Sequence, residues 1–220
     1  CDWSSDVCSS DLATADEGDL GYAKDQLHQF NSILGMAEKL GLKFKIKHFS
    51  NSGSVLNLPK SGFDLVRVGM LLYGAFPSDE VPADIDIKPV MEFRGSIVQV
   101  RCVSAGTQVS YGGVWSAEKD TNIGVIQTGF ADGFPRPWYD GGSVSYHGKR
   151  YPIAGRICMD QLMVDFENDD VKVGEDVLFF GENKTDSIRV EEIATAIEST
   201  PYVLLTAIQG RTERNYSRSN

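Results

Sequence analysis

The segment PSDEVPADIDIKP, residues 77–89, most constrains what this chain can fold into. It mixes prolines and acids and has no apolar period, so it reads as a linker between two differently textured halves. Before it, GYAKDQLHQFNSILGMAEKLG places Leu27, Phe30, Leu34, Ala37 and Leu40 on one helical face, with Gly41 as a stop just past the end. In LKFKIKHFS, Phe44, Ile46 and His48 alternate with Lys43, Lys45 and Lys47, which predicts a strand with His48 on its apolar side. A short helix is expected after SNSGS, and FDLVRVGM predicts a further strand carrying Arg67. Helix, strand, loop and strand at this spacing indicate βα units on a parallel sheet. Beyond the linker, VMEFRGSIVQVRCV, TNIGVIQTGF, GSVSYHGKRYPIAGRI, QLMVDF and EDVLFFG alternate with glycine-rich turns, and one helix is expected in RVEEIATAIEST. That half predicts a mainly antiparallel, barrel-like β domain. The expected division is a tail over 1–12, an α/β part over 13–79 and a β domain over 80–220.

Composition excludes some function classes. A net charge of −10 argues against nucleic acid and anionic membrane as partners and fits a protein handling small molecules. No apolar run is long enough to cross a bilayer. The 4 cysteines show no zinc-site spacing and there are only 3 histidines, so no metal site is expected and a reducing, cytoplasmic setting is the simpler inference. CDWSSDVCSSDL, residues 1–12, lacks the basic start and apolar core of a signal peptide. Its Ser and Asp content predicts disorder. It resembles a translated adapter read, which implies a foreign tail joined to a chain cut before Ala13.

Three places offer chemistry. HFSNSG lies at the carboxyl end of a predicted strand, where parallel α/β folds gather their ligands. Asn51 and Ser52 are small donors there, and Gly69 with Met70 follow the Arg67 strand in the same way, so two strand ends together form a candidate phosphate cradle. Asn-Ser-Gly is equally ordinary turn chemistry. His48 on an apolar face is most simply a core residue, whereas Arg67 is always charged and calls for an acceptor, with a ligand atom one possibility. In QVSYGGVW, Tyr111 sits before two glycines. It either closes a turn or is held there to reach chemistry elsewhere.

ATADEGD, HFSNSG, RVGMLLYG, QVSYGGVW, GFADGFPR, GRICMDQ and PYVLLTAI occur in the order found in alanine racemases, and the resemblance runs from Ala13 to about Arg214. It implies the last βα units of a (β/α)8 barrel that binds pyridoxal 5'-phosphate, followed by the β domain. It implies a cytoplasmic homodimer with shared active sites that interconverts L- and D-alanine and supplies D-alanine for peptidoglycan. Two bases serve in such enzymes: a lysine that also holds the cofactor as an imine, and a tyrosine from the partner subunit. By this resemblance Tyr111 is that tyrosine. A phenol titrates near 10 and is a poor base at neutral pH unless cations or donors stabilise its phenolate. The resemblance further implies that Arg67 faces the pyridine nitrogen and His48 buttresses it. Ser52, Gly69, Met70 and Tyr202 would bind phosphate, with Asn51 beside them. Met159 would offer its backbone N–H to the substrate carboxylate, with Asp160 structural at that turn. Asp16, Phe130, Arg136 and Arg156 would surround the substrate entrance.

The sequence departs from the family pattern. Phe130 stands where a tyrosine is usual, which removes a hydroxyl from the entrance. No lysine here matches the imine-forming one, a substrate-binding arginine is missing, and Asp11 holds the place of a histidine two residues before ATADE. The chain is therefore expected to be inactive alone. A broad-specificity or serine racemase would share every motif above. A non-catalytic β module is the alternative from another class. Barrel decarboxylases using the same cofactor do not carry VSYGG followed by GRICMDQ.

Overall fold

The structure, a computed structural model, describes residues 7–217. Residues 1–6 of the expected tail lie outside them. The chain divides into two compact units between Lys88 and Pro89, at the end of the proline- and acid-rich segment.

The first unit contains β1 (Val7–Ser9), α1 (Gly21–Lys39), β2 (Ile46–His48) and α2 (Ser52–Asn57). Helix α1 buries Ala23, Phe30 and Ala37, and with Leu27 and Leu34 partly buried this is the expected face. Leu40 departs from it and is 77% exposed, because the helix ends there and Gly41 turns away at φ +77°. Phe30 stacks on Phe49 with ring centroids 5.1 Å apart, and Leu12, Ala15 and Ala23 complete this core. An aromatic side chain buried this way contributes about 1.5–3 kcal/mol.

Residues 7–12 are ordered, although their composition predicts disorder. Strand β1 pairs parallel with β2, Val7 opposite Ile46 and Ser9 opposite His48, and Leu12 is buried in the core. Burying Leu12 and forming the ladder offset the ordering entropy that polar composition alone would leave unmet. The expected strand from Phe44 is shorter, and Ile46 is exposed. The expected Arg67 strand shrinks to a parallel bridge between Leu65 and His48, extended by Asp64 N–H to the Lys47 carbonyl (3.0 Å) and Arg67 N–H to the Ser50 carbonyl (2.8 Å). Three short parallel segments thus end side by side.

The second unit runs β3 (Phe93–Val103), β4 (Gln108–Val109), β5 (Trp115–Ser116), β6 (Thr121–Ile126), β7 (Ser143–Tyr146), β8 (Lys149–Pro152), β9 (Leu162–Asp165), β10 (Asp176–Glu182), β11 (Ser187–Ile188), α3 (Val190–Ala196) and α4 (Pro201–Ala207). Helix α4 is an addition to the single helix expected. Pro201 at its first turn lacks only an N–H that would have no partner there. The main sheet has the order β8-β7-β10-β3-β6-β9, all antiparallel, with β11 on β10. An antiparallel bridge between Ile153 and Val164, with Ala154 N–H on the Met163 carbonyl at 2.7 Å, joins the two ends of that order. Closure removes the open edges that a flat sheet would leave. Inside lie Ile97, Ile126, Val144, Leu162, Val164, Phe166 and Phe179. Phe179 meets Phe93 at 5.2 Å and Phe134 at 4.5 Å between centroids. Gly124 has no alternative on β6: a Cβ there would lie 2.3 Å from the Phe166 ring.

Candidate active site

In the first unit the three strand ends gather most of the predicted cofactor residues. Asn51 caps α2: its side chain accepts from Ser54 N–H at 3.0 Å, and Ser54 Oγ accepts from Asn51 N–H at 2.9 Å. This reciprocal cap fixes Ser52 at the start of the helix, and Ser52 Oγ accepts from Gly69 N–H at 3.0 Å. Ser52, Gly69 and Met70, predicted from separate strand ends, are therefore one cluster, with Met70 opening the 3-10 turn 70–73. Gly69 faces open space where a Cβ would stand. Gly53 is tightly held, since a Cβ there would lie 2.7 Å from Asp16 N, so the Ala15–Asp16 backbone lies against the start of α2.

His48 and Arg67 are electrostatic neighbours. Burial, then the Arg67 cation, lower the His48 pKa, while Asp11 opposes them. His48 Nδ1 is buried and has no hydrogen-bond partner. Arg67 donates to the Ser10 carbonyl at 2.8 Å and pairs with Asp11, which supplies the acceptor that no motif had pointed to. A phosphorylated aromatic cofactor fits this donor set. The serine hydroxyl and strand-end backbone suit a phosphate, a fixed cation suits a ring nitrogen, and an orphaned imidazole nitrogen suits a bound group.

In the second unit, Tyr111 opens the 3-10 turn 111–113 and is 71% exposed. The backbone before and after it is left-handed, with Ser110 at φ +68°, Gly112 at +76° and Gly113 at +56°. Ser110 is not glycine, and it is held there by its Oγ donating to the Arg156 carbonyl at 2.6 Å. Gly155, at φ +85°, packs on Ser110 from the other side. Gly112 faces the Arg156 guanidinium, so Tyr111 and Arg156 belong to one patch. The next turn joins it: Phe130 N–H donates to the Cys158 carbonyl and Ala131 N–H to the Met159 carbonyl, both at 3.0 Å. Phe130 and Met159 are 41% and 56% exposed. Cys158 thus lies in a turn. Arg136 is exposed on the turn 136–139. Tyr202 is exposed on α4, whose C-terminal end packs against Gly133.

Two residues that sequence reading passed over organise this patch. Asp132 is buried, accepts from Gly129 N–H at 2.8 Å, and takes Arg211 Nε at 2.6 Å. Arg211 also reaches Asp160 at 2.7 Å. Burial alone would raise the Asp132 pKa, but the hydrogen bonds from Arg211 and Gly129 hold it below the ordinary carboxylate range. Asp132 was discoverable as the fourth residue of GFAD, a turn that caps itself. Arg211 had no local signal, because its partners are far away in sequence.

The sequence model of the family described as "Alanine racemase, C-terminal domain" matches residues 90–216, and that of "Alanine racemase, N-terminal domain" matches 7–77. The chain belongs to the alanine racemase family. An alanine racemase of Halothermothrix orenii is 38% identical over 206 residues, covering 93% of this chain and 54% of the relative. The solved alanine racemase of Streptomyces coelicolor A3(2) superposes with a TM-score of 0.90 at 36% identity, covering 97% of this chain and 56% of that one. A Clostridium difficile alanine racemase in complex with cycloserine gives 0.82 at 33% identity, covering 91% and 53%. The chain spans about half the length of the curated relatives it matches. Both units therefore have counterparts in alanine racemases, the first as a partial barrel and the second as the β domain that follows it.

Proposed function

We propose that this chain forms the later part of an alanine racemase that uses pyridoxal 5'-phosphate and interconverts L- and D-alanine. Bound pyridoxal phosphate supplies a ring that draws electrons from the substrate Cα. Ser52 with the Gly69 and Met70 backbone holds the phosphate, with Asn51 fixing the cap and Tyr202 adding a hydroxyl. Arg67 faces the ring nitrogen as a donor only, since a guanidinium keeps its proton, and His48 supports it. Arg67 would thereby leave that nitrogen without a proton, which would favour return of the proton to Cα. Met159 N–H takes the substrate carboxylate. Asp16, Phe130, Arg136 and Arg156 border the approach.

Tyr111 moves a proton at Cα on one face of the substrate, and a lysine moves it on the other. The observation that carries this reading is the Tyr111 turn itself: a left-handed serine and two left-handed glycines present an exposed phenol, braced by Arg156. Exposure of this kind suits a residue lent to a second copy, so we read the working unit as a homodimer with shared sites. None of the chain's own lysines matches the cofactor-holding lysine, and we infer that the chain by itself does not turn over. Among the described residues no helix is long and apolar enough to cross a membrane, which is compatible with a cytoplasmic enzyme supplying D-alanine for peptidoglycan. Phe130 leaves the approach without the hydroxyl that a tyrosine would bring there.

The test uses a protein that carries this chain together with that lysine. Tyr111→Phe should lower α-hydrogen exchange from L-alanine in deuterated water by about 10²–10⁴-fold while the cofactor's visible absorbance persists. Exchange at the parent rate would refute the assignment of Tyr111.

A further inference from the structure

The carboxylates of Asp132 and Asp160 belong to two different turns, 129–133 and 158–161, and one guanidinium holds both. Arg211 donates through Nε to Asp132 Oδ1 at 2.6 Å and through a terminal nitrogen to Asp132 Oδ2 at 3.1 Å. A terminal nitrogen also reaches Asp160 Oδ1 at 2.7 Å. The segment carrying Arg211 is tied down separately, since Thr212 Oγ1 donates to the Asp132 carbonyl at 3.2 Å. The two turns are also joined by backbone hydrogen bonds, from Phe130 N–H to the Cys158 carbonyl and from Ala131 N–H to the Met159 carbonyl. Without the guanidinium, Asp132 and Asp160 would line one cavity, of about 740 Å³, without the cation that pairs them. A lysine cannot reproduce a planar fork that grips one carboxylate bidentately while reaching a second.

We propose that Arg211 is a positioning residue: it clamps the Met159 turn to the Phe130 turn and so sets where the Met159 peptide stands relative to the approach bordered by Phe130. Its consequence for substrate rests on the racemase reading, in which Met159 N–H takes the substrate carboxylate. The clamp itself does not.

The experiment measures amide hydrogen exchange residue by residue on the full chain and on Arg211→Met, Arg211→Lys and Asp160→Asn. With the clamp gone, Phe130, Ala131 and Cys158, whose N–H groups donate to the Cys158, Met159 and Gln161 carbonyls, should exchange about tenfold faster or more, while amides of β3 and β10 keep their protection. Arg211→Lys should not restore the parent rates. Asp160→Asn should speed Cys158 and leave Gly129 N–H protected, because Asp132 still accepts from it. A uniform change that follows global stability, or no change at the three amides, would overturn the proposal. If Arg211→Met fails to fold, Asp160→Asn decides by the same criterion. Kinetics of Asp160→Asn in the lysine-bearing protein then addresses the substrate consequence: KM for alanine should rise at least several-fold with kcat little altered. Absence of racemase activity in the parent protein would sink the racemase reading and leave the exchange result standing.

Discussion

Gly155 shows how one residue without a side chain places another. Its φ of +85° suits glycine alone, and a Cβ would stand 2.8 Å from Ser110 Cβ and 3.0 Å from the Val109 carbonyl oxygen. Gly155→Ala should therefore cost about 1–3 kcal/mol and displace the Tyr111 turn. Urea unfolding followed by near-ultraviolet circular dichroism measures this, and an unchanged midpoint would contradict the close contact. At this scale the sequence was informative where chemistry is local. Tyr111 between a strand and two glycines, and Asn51-Ser52 at a strand end, could be singled out from neighbours alone. Arg211 could not, because nothing near it in the chain announces two carboxylates arriving from 79 and 51 residues earlier. Asp11 on Arg67 was hidden for the same reason.

Among the elements, the β7–β8 hairpin and the β10–β11 pair meet at one carboxylate. Asp186 accepts from Ser145 Oγ at 2.7 Å, Gly148 N–H at 2.8 Å, Thr185 Oγ1 at 2.8 Å and Asn183 Nδ2 at 3.2 Å. Burial pushes its pKa up, but these donors outweigh it and bring the value to about 2. A carboxylate depressed in the folded state stabilises above its unfolded pKa, and that stability is lost as pH falls towards the folded value. Asp186→Asn should thus lower stability at neutral pH and flatten its decline between about pH 4 and pH 2. Thermal melts of both proteins across that range read the difference, and parallel pH curves would rule it out. Periodicity located α1 well, since it carries its own apolar face, while the short helix expected after SNSGS begins within that stretch at Ser52, where Asn51 caps it. It overestimated the strands around His48 and Arg67, because a strand's extent depends on its partners' lengths. It also missed α4, which opens on Pro201, a residue that inside a sequence reads as a breaker.

At the scale of the whole molecule, the two units differ in how they complete their sheets. The second closes its sheet through Ile153 and Val164 around an aromatic and aliphatic core. Residues 89–217 expressed alone should unfold in one cooperative transition with fixed near-ultraviolet signals. Dye-binding, non-cooperative melting would show that closure is insufficient for independent folding. The residue order alone determined that there are two textures joined by an acidic, proline-rich segment, that the second is antiparallel and barrel-like, and that the motifs are those of alanine racemases. The first two follow from local steric preferences and short-range patterns, which need no knowledge of distant partners, and the third from resemblance alone. Only the tertiary structure decided that Val7–Ser9 join a parallel ladder, that Ser52 meets Gly69, that Arg156 braces the Tyr111 turn and that Arg211 bridges Asp132 and Asp160. Each is a contact between groups far apart in the chain. Such contacts form when burial and charge pairing over the whole fold outweigh the entropy of bringing them together.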